Sequence, residues 1–360
     1  MGEEETVMSG NRTLLVAEAG ANHNRDWELA KRLVAVAVDA EVDIIKFQTY
    51  TSADLYSRET PDFAGYTSIS DLISSIEMPR EWHHDLKLLC DDSGIEFMST
   101  PFDERAVEQL VEVGVRRLKV ASFEARDPRL LRCVASTGLP VIFSAGIGTG
   151  AVEVREIIDV IRDVNSDADI TILHCNSAYP TPFCDINLGQ MKYLDTLFGG
   201  YRAARNPNRS DMSGRAAPVA IKIGLSDHTE GILVPPIAVT HGACVVEKHF
   251  TLDRTMVGPD HLFAIQPAEL KQMVMNVRAA EMMMDLKVGQ SHSESSRGMS
   301  AALRSVVTVR PIMSGSRVTV DDITTKRPFL DDSVPAHEFD IFVESDYRAV
   351  IDMPADHVIR

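Results

Sequence analysis

The chain reads as an α/β protein: a (β/α)8 barrel followed by a small β-rich module. Three observations predict this. Strand-length apolar runs alternate with helical-period segments, and the alternation repeats eight times before residue 287. Eight such units in about 270 residues is the arithmetic of a closed barrel. No GxGxxG follows the first run, which weakens the competing doubly wound open sheet.

The runs are LLVAEAG (14–20), IIKFQTY (44–50), EFMSTPF (96–102), RLKVASF (117–123), VIFSAG (141–146), ITILHCNSA (170–178), IKIGLSDH (221–228) and VVEKHF (245–250). Between them, stretches such as ELAKRLVAVAVDAE and AVEVREIIDVIRDV place apolar residues at three- and four-residue steps, as helices do. Residues 51–80 form an insertion between the second strand and its helix. GGYRAARNPNRSDMSGRAAP (199–218) is a second, Gly/Arg/Ser-rich one, expected to be disordered. The methionines of QMVMNVRAAEMMMDL (272–286) read as core packing of the eighth helix. The expected domains are a barrel at 1–286, a polar linker KVGQSHSESSRG at 287–298 and a module at 299–360, with β-like runs LRSVVTVR, SRVTV and YRAVIDM.

Composition narrows the function. With 36 basic and 53 acidic side chains the net charge is −17, which disfavours nucleic acid or an anionic membrane as partner. No run is long enough to span a membrane, and the acidic start MGEEETVMSGNRT lacks a signal core, so a cytoplasmic location is expected. Five cysteines without a CxxC pair argue against a zinc or disulfide framework.

Barrel chemistry belongs where the strands end. Those ends carry Glu18, Lys46, Thr100, Lys119, Ser122, Glu124, Ser144, Ser177, Tyr179, His228, Glu247 and His249. A lysine inside an apolar strand, as in IIKFQ and LKVAS, is costly unless it meets an anion. Two of them with a set of hydroxyls at one mouth suit a phosphate or carboxylate ligand. Strands seven and eight are neighbours in a closed barrel, so His228 and His249 can reach one ion. Two imidazoles plus oxygen ligands suit a catalytic divalent metal such as Mn²⁺, with Mg²⁺ or Co²⁺ as alternatives, better than a closed zinc site. His23, His174 and His241 read as capping, core or surface residues.

The segments AEAGANHN, IIKFQTY, STPFDE, KVASFE, LHCNSAYPTP, GLSDHT and VEKHFTLDRTMVGPDH occur in the order and spacing of the sialic acid synthase family. The chain resembles that family, with its legionaminate, pseudaminate and spore-coat relatives, over nearly its whole length. VTVRPIMSGSRVTVDDITTKRP is similar to the family's C-terminal antifreeze-like (SAF) module. The resemblance implies condensation of phosphoenolpyruvate with the aldehyde of an N-acetylated amino sugar, giving a nine-carbon 2-keto acid and phosphate. It implies a catalytic role for Glu18, His228 and His249, the histidines as metal ligands. Lys46, Thr100, Lys119, Ser122, Ser144 and Ser177 would bind phosphoenolpyruvate, and Glu124, Tyr179, Glu247, Asp260 and Arg327 the sugar. It also implies a domain-swapped homodimer. The neuraminate branch's SGE reads SFE here, with Phe123 in place of glycine, and STG reads SAG. Those changes leave the reaction class and open the identity of the sugar. Competing readings are a barrel of the 3-deoxy-octulosonate or heptulosonate phosphate synthase type, and an inactive sugar-binding paralogue.

Overall fold

A computed structural model describes residues 12–57, 59–61, 68–199, 220–284 and 302–360. The chain divides into two compact units, residues 1–285 and 286–360.

The first unit holds eight parallel strands: β1 Leu14–Gly20, β2 Ile44–Thr49, β3 Glu96–Pro101, β4 Leu118–Val120, β5 Val141–Ala145, β6 Ile170–Cys175, β7 Lys222–Asp227 and β8 Val245–His249. Their order is β3-β2-β1-β8-β7-β6-β5-β4, so β1 pairs with β8, and β3 runs beside β4 to complete a nearly closed barrel. The helices are α1 Trp27–Asp39, α2 Ser52–Leu55, α3 Ile69–Ile76, α4 Trp82–Asp92, α5 Glu104–Glu112, α6 Pro128–Ser136, α7 Ala151–Val164, α8 Gly189–Phe198, α9 Val234–Thr240 and α10 Pro267–Met284.

Local chemistry starts and stops these helices. Asp26, Asp103 and Asp127 cap α1, α5 and α6 by accepting backbone N–H groups of the first turn, and Pro128 follows its cap at the first helical position. Gly114 and Gly138, at φ 80° and 74°, end α5 and α6 in the left-handed region that glycine enters without strain. Strand alternation then sorts the apolar side chains into two layers. Val16, Ile44, Met98, Ile142, Leu173 and Val245 fill the barrel floor, while Leu15, Ile45, Phe97, Phe143 and Val246 pack outward against the helices. Gly224 of β7 is needed at the floor, because a Cβ there would lie 2.4 Å from the Val245 carbonyl oxygen.

The insertion at 51–80 is partly helical. It carries α2 and α3, pinned by Ser52 N donating to Glu77 Oε2 at 2.8 Å and Arg25 Nη1 to the Ser74 carbonyl at 2.8 Å. The 199–218 loop beyond Gly199 and the 287–298 linker lie outside the described residues. The methionine reading of α10 is corrected. Only Met273 is buried among the helix's methionines; Met275 and the consecutive Met282, Met283 and Met284 are exposed. The buried face of α10 is Leu270, Met273, Val274, Val277 and Ala280, and three consecutive residues cannot share one helical stripe. Among the described residues no helix is long and apolar enough to cross a membrane.

The second unit is built on an antiparallel pair, β9 Ser305–Thr308 and β10 Ile323–Lys326, with a short helix α11 Phe339–Glu344. Val306, Ile312, Val318, Ile323, Ala349, Met353 and Ile359 form its core. The runs SRVTV and YRAVIDM make isolated bridges, Arg317 with Arg348 and Ile312 with Met353, instead of full strands.

Candidate active site

Register brings the polar strand ends together. Across β1, Glu18 pairs with Lys46 of β2 on one side and with His249 of β8 on the other; across β7 and β8, Ser226 pairs with Glu247. The resulting cleft is lined by Glu18, Lys46, Thr100, Lys119, Ser122, Ser144, Tyr179, His228, Glu247 and His249, all expected from sequence.

Four buried charges balance at its base. Lys46 Nζ lies 2.7 Å from Glu18 Oε2 and 3.6 Å from Glu247 Oε2, and donates to Thr100 Oγ1 at 3.1 Å. Lys119 Nζ is 3.7 Å from Glu247 Oε1, which also accepts from Ser226 Oγ at 3.0 Å. Burial alone would lower Lys46, but Glu18 and Glu247 outweigh it and hold the ammonium above its ordinary range. Lys119 is lowered, chiefly by burial. Burial would raise Glu247, but Lys119 and Lys46 prevail and keep it ionised. Glu18 is pushed up to about 7, by burial first and by Glu247, against the pull of Lys46. It is the group of the four poised near neutrality.

Above this layer stand the two histidines, their ring centroids 5.3 Å apart. Burial lowers both, so the imidazoles are neutral. His228 Nδ1 lies 2.6 Å from the Asn176 carbonyl oxygen. A carbonyl only accepts, so Nδ1 carries the proton and Nε2 keeps a free lone pair, the arrangement of a metal-ligating histidine. His249 Nδ1 is buried with no hydrogen-bond partner among the described residues and faces Asp260 Oδ2 at 3.7 Å. Among the described residues no three His, Cys, Asp or Glu groups gather as a full metal cage. His228, with Nε2 unprotonated, and His249, with Nδ1 unpartnered among the described residues, are the donors that fit a divalent ion completed by water or substrate oxygen.

Around the rim, Ser177 Oγ lies 3.4 Å from Ser122 Oγ and accepts from Ile147 N at 3.2 Å. Gly146 leaves the room for both: a Cβ there would sit 2.8 Å from Ser122 Cβ and 2.9 Å from Ser177 Oγ. Glu124 follows β4, is pushed up to about 7 by burial, and keeps Oε2 buried and unpartnered among the described residues. Asp260 is raised to about 6, again by burial. The Tyr179 and His228 ring centroids lie 4.2 Å apart with the planes tilted by 40°, and Phe123 is exposed at the edge of the cleft. Arg327 belongs to the second unit, where it is exposed.

The matching profile is that of the NeuB family, over residues 33–203 and 209–289. The chain belongs to the NeuB family. It is 37% identical over 327 residues to N,N'-diacetyllegionaminic acid synthase of Legionella pneumophila, covering 87% of this chain and 85% of that one. It is 32% identical to pseudaminic acid synthase of Helicobacter pylori, with 88% of each covered. The crystal structure of an N-acetylneuraminic acid synthetase from Leptospira borgpetersenii superposes with a TM-score of 0.66 at 30% identity, covering 81% of this chain and 91% of that chain.

Sequence reading passed over several residues of this NeuB site. Gln48 Nε2 donates to Glu18 Oε1 at 2.9 Å, and Ser226 holds Glu247. Both stand two residues from a residue already named, so period-two alternation carried the signal. Asn176 acts through its carbonyl, and Phe263 packs 5.1 Å from the His249 ring from a loop; neither has a pattern to read.

Proposed function

We propose that this NeuB-family enzyme condenses phosphoenolpyruvate with the open-chain aldehyde of an N-acetylated amino sugar, giving a nine-carbon 2-keto acid and phosphate. The observation that carries the reading is the stacking of two layers in one mouth. Two buried lysines with serine and threonine hydroxyls lie beneath two adjacent neutral imidazoles. The names of the relatives support it.

Lys46 and Lys119, with Thr100, Ser122, Ser144 and Ser177, hold the phosphate and carboxylate of phosphoenolpyruvate. His228 and His249 would hold a divalent cation, Mn²⁺ by the chemistry of the donors, which would supply Lewis-acid assistance to the aldehyde. The enol carbon C3 bonds to the aldehyde carbon and C2 becomes oxocarbenium-like. Water adds to C2, one of its protons passing by way of Glu18 to the new alkoxide and the other leaving with phosphate as the C2–O bond to phosphate breaks and the keto group forms. Glu18 faces this carbon as a carboxylate and takes the water's proton, a task suited to a group titrating near 7. Glu124, Tyr179, Glu247 and Asp260 hold sugar hydroxyls; Glu247 serves as well as counter-ion to both lysines.

The second unit is an antifreeze-like module by its sequence resemblance, and the active form is a homodimer in which it closes the partner's barrel and Arg327 meets the sugar's acyl group. Ile147, Leu233, Val257 and Leu262, exposed on loops around the mouth, support a docking surface there. Mixing Arg327→Ala with His249→Ala protein under subunit exchange is expected to restore up to about a quarter of wild-type activity, since one site in each heterodimer is intact. The decisive experiment is phosphate release from phosphoenolpyruvate with Mn²⁺ and a panel of 2-acetamido hexoses and diacetamido 6-deoxy hexoses. Turnover only with a sugar phosphate would replace this reading by the heptulosonate type.

A further inference from the structure

Behind the imidazoles lies a polar cluster that the reaction does not use. The alternation that turns Ser226, His228, Glu247 and His249 into the barrel turns Asp227 and Lys248 outward, and the register sets these two opposite each other. Both are 1% exposed. Lys248 Nζ donates to Asp227 Oδ2 at 2.7 Å and to the Thr229 carbonyl, while Asp227 Oδ1 accepts from Thr229 N at 2.9 Å and Thr229 Oγ1 at 2.8 Å. Buried ion pairs add little net stability over apolar residues of the same shape, so stability alone is a poor reason for this one. Its position gives a better one. The β7–β8 ladder ends at Asp227 with Lys248, and His228 and His249 each stand one residue beyond it. The β7–β8 ladder therefore does not tie the two histidines to each other, although β1 holds His249 and Thr181 N bonds the His228 carbonyl, whereas Lys248 grips the residues on both sides of His228 and itself precedes His249.

We infer that the Asp227–Lys248–Thr229 cluster is a strut that fixes the separation and aim of the two imidazoles, and through them the affinity for the divalent cation. These are positioning residues, and the inference rests on the reading that His228 and His249 hold that ion. Metal–ligand distances tolerate only about 0.2 Å, and groups supporting the ligands typically change metal affinity by about 10- to 100-fold.

The test is Mn²⁺ binding to the metal-free full-length protein without substrate, followed by calorimetry or by the electron paramagnetic resonance of the free ion. Asp227→Asn combined with Lys248→Met removes both charges together and keeps an acceptor for Thr229. It is expected to bind Mn²⁺ about 10- to 100-fold more weakly, with an unchanged near-ultraviolet circular dichroism spectrum. Thr229→Val, which changes no charge, should weaken binding about fivefold and decides the matter if the double variant does not fold. Asp169→Asn with Lys222→Met, the same chemistry at the opposite end of β7, should bind as wild type does. Wild-type affinity in the folded double variant, or in Thr229→Val where the double variant fails, overturns the strut. His228→Ala and His249→Ala separate the two readings. If they too bind like wild type, the cation reading falls and the strut with it; if they lose the ion while the strut variants keep it, the strut alone falls.

Discussion

The two ends of the barrel use charge in opposite ways. At the N-terminal ends of the strands, Arg12 meets Asp43 at 3.1 Å, Arg117 meets Glu96 at 2.7 Å and Lys222 meets Asp169 at 2.8 Å. Arg12, Arg117, Asp169 and Lys222 rim an opening of about 360 Å³ over the apolar floor, and each of these cations has its partner. At the C-terminal ends the charges are buried, shared among several partners, and accompanied by polar atoms with no hydrogen-bond partner among the described residues: Ser144 Oγ, Glu124 Oε2 and His249 Nδ1. Satisfied, partly solvated pairs stabilise modestly and do no chemistry. Buried and incompletely satisfied groups cost stability, and they make sense where a ligand completes them. The contrast identifies the working face without reference to any relative.

The strongest way to break that contrast is at the imidazoles. His228→Ala or His249→Ala should reduce phosphate release by about 10³-fold or more while leaving the thermal transition intact, because several kcal/mol of Lewis-acid assistance is lost. Lys222→Met with Asp169→Asn should leave activity within about twofold and shift stability by less than about 1 kcal/mol. Equal losses at both ends, in rate and melting temperature, would erase the distinction.

Removing one lysine from the mouth tests the buried layer. Lys46→Met strips Glu18 and Glu247 of a shared counter-ion and should cost about 3–5 kcal/mol at pH 8 by denaturant unfolding. Without the lysine both carboxyls bind protons more readily in the folded variant than in the folded wild type, so the deficit should shrink as the pH falls toward 5. A deficit that does not vary with pH would mean these carboxylates are solvated.

Glu124 gives a smaller effect of the opposite sign. Its folded value of about 7 lies above the ordinary 4.5, so its favourable contribution is complete below about 4.5 and lost as the pH rises through 7. Glu124→Gln should therefore stabilise the protein by about 2 kcal/mol at pH 8 and not at pH 4.5, at the expense of sugar binding. Stabilisation at neither pH would show that Glu124 is not strained by burial.

The smallest effect concerns selectivity. Phe123 is 57% exposed beside Ser122 on the edge of the cleft. Phe123→Gly should raise kcat/KM for N-acetylmannosamine relative to a diacetamido 6-deoxy hexose by about tenfold, the scale on which pocket shape discriminates. An unchanged ratio would place the sugar away from this ring.

Much of this was legible in one dimension. The eight runs became β1 to β8 within a few residues of their expected bounds, because parallel strands buried on both faces must be continuously apolar and the helices between them amphipathic. A lysine in IIKFQ and another in LKVAS stood out for the same reason: nothing but function or a partner justifies an ammonium there. Lys46 and His228 were named from their places at the strand ends; Gln48 and Ser226 stand at period two from them, so strand alternation held more of the site than the strand ends alone gave. Short runs were less secure. SRVTV and YRAVIDM are strand-like in composition, yet they make single bridges, since a small unit's pairing depends on partners distant in the chain. The methionines of α10 carried too weak a period to say which would face inward.

The sequence by itself determined the period, the order of the elements and the residue types at the strand ends, because these follow from burial and backbone geometry alone. Tertiary structure decided which of them meet. Barrel closure brings β8 against β1 and so puts His249 level with Glu18, more than 200 residues away in the chain. The shift of Glu18 to about 7, the proton on His228 Nδ1 and the Asp227–Lys248 bond all depend on desolvation and on distances of a few ångströms. Coulombic and hydrogen-bond energies fall off over such distances, and no linear pattern records them.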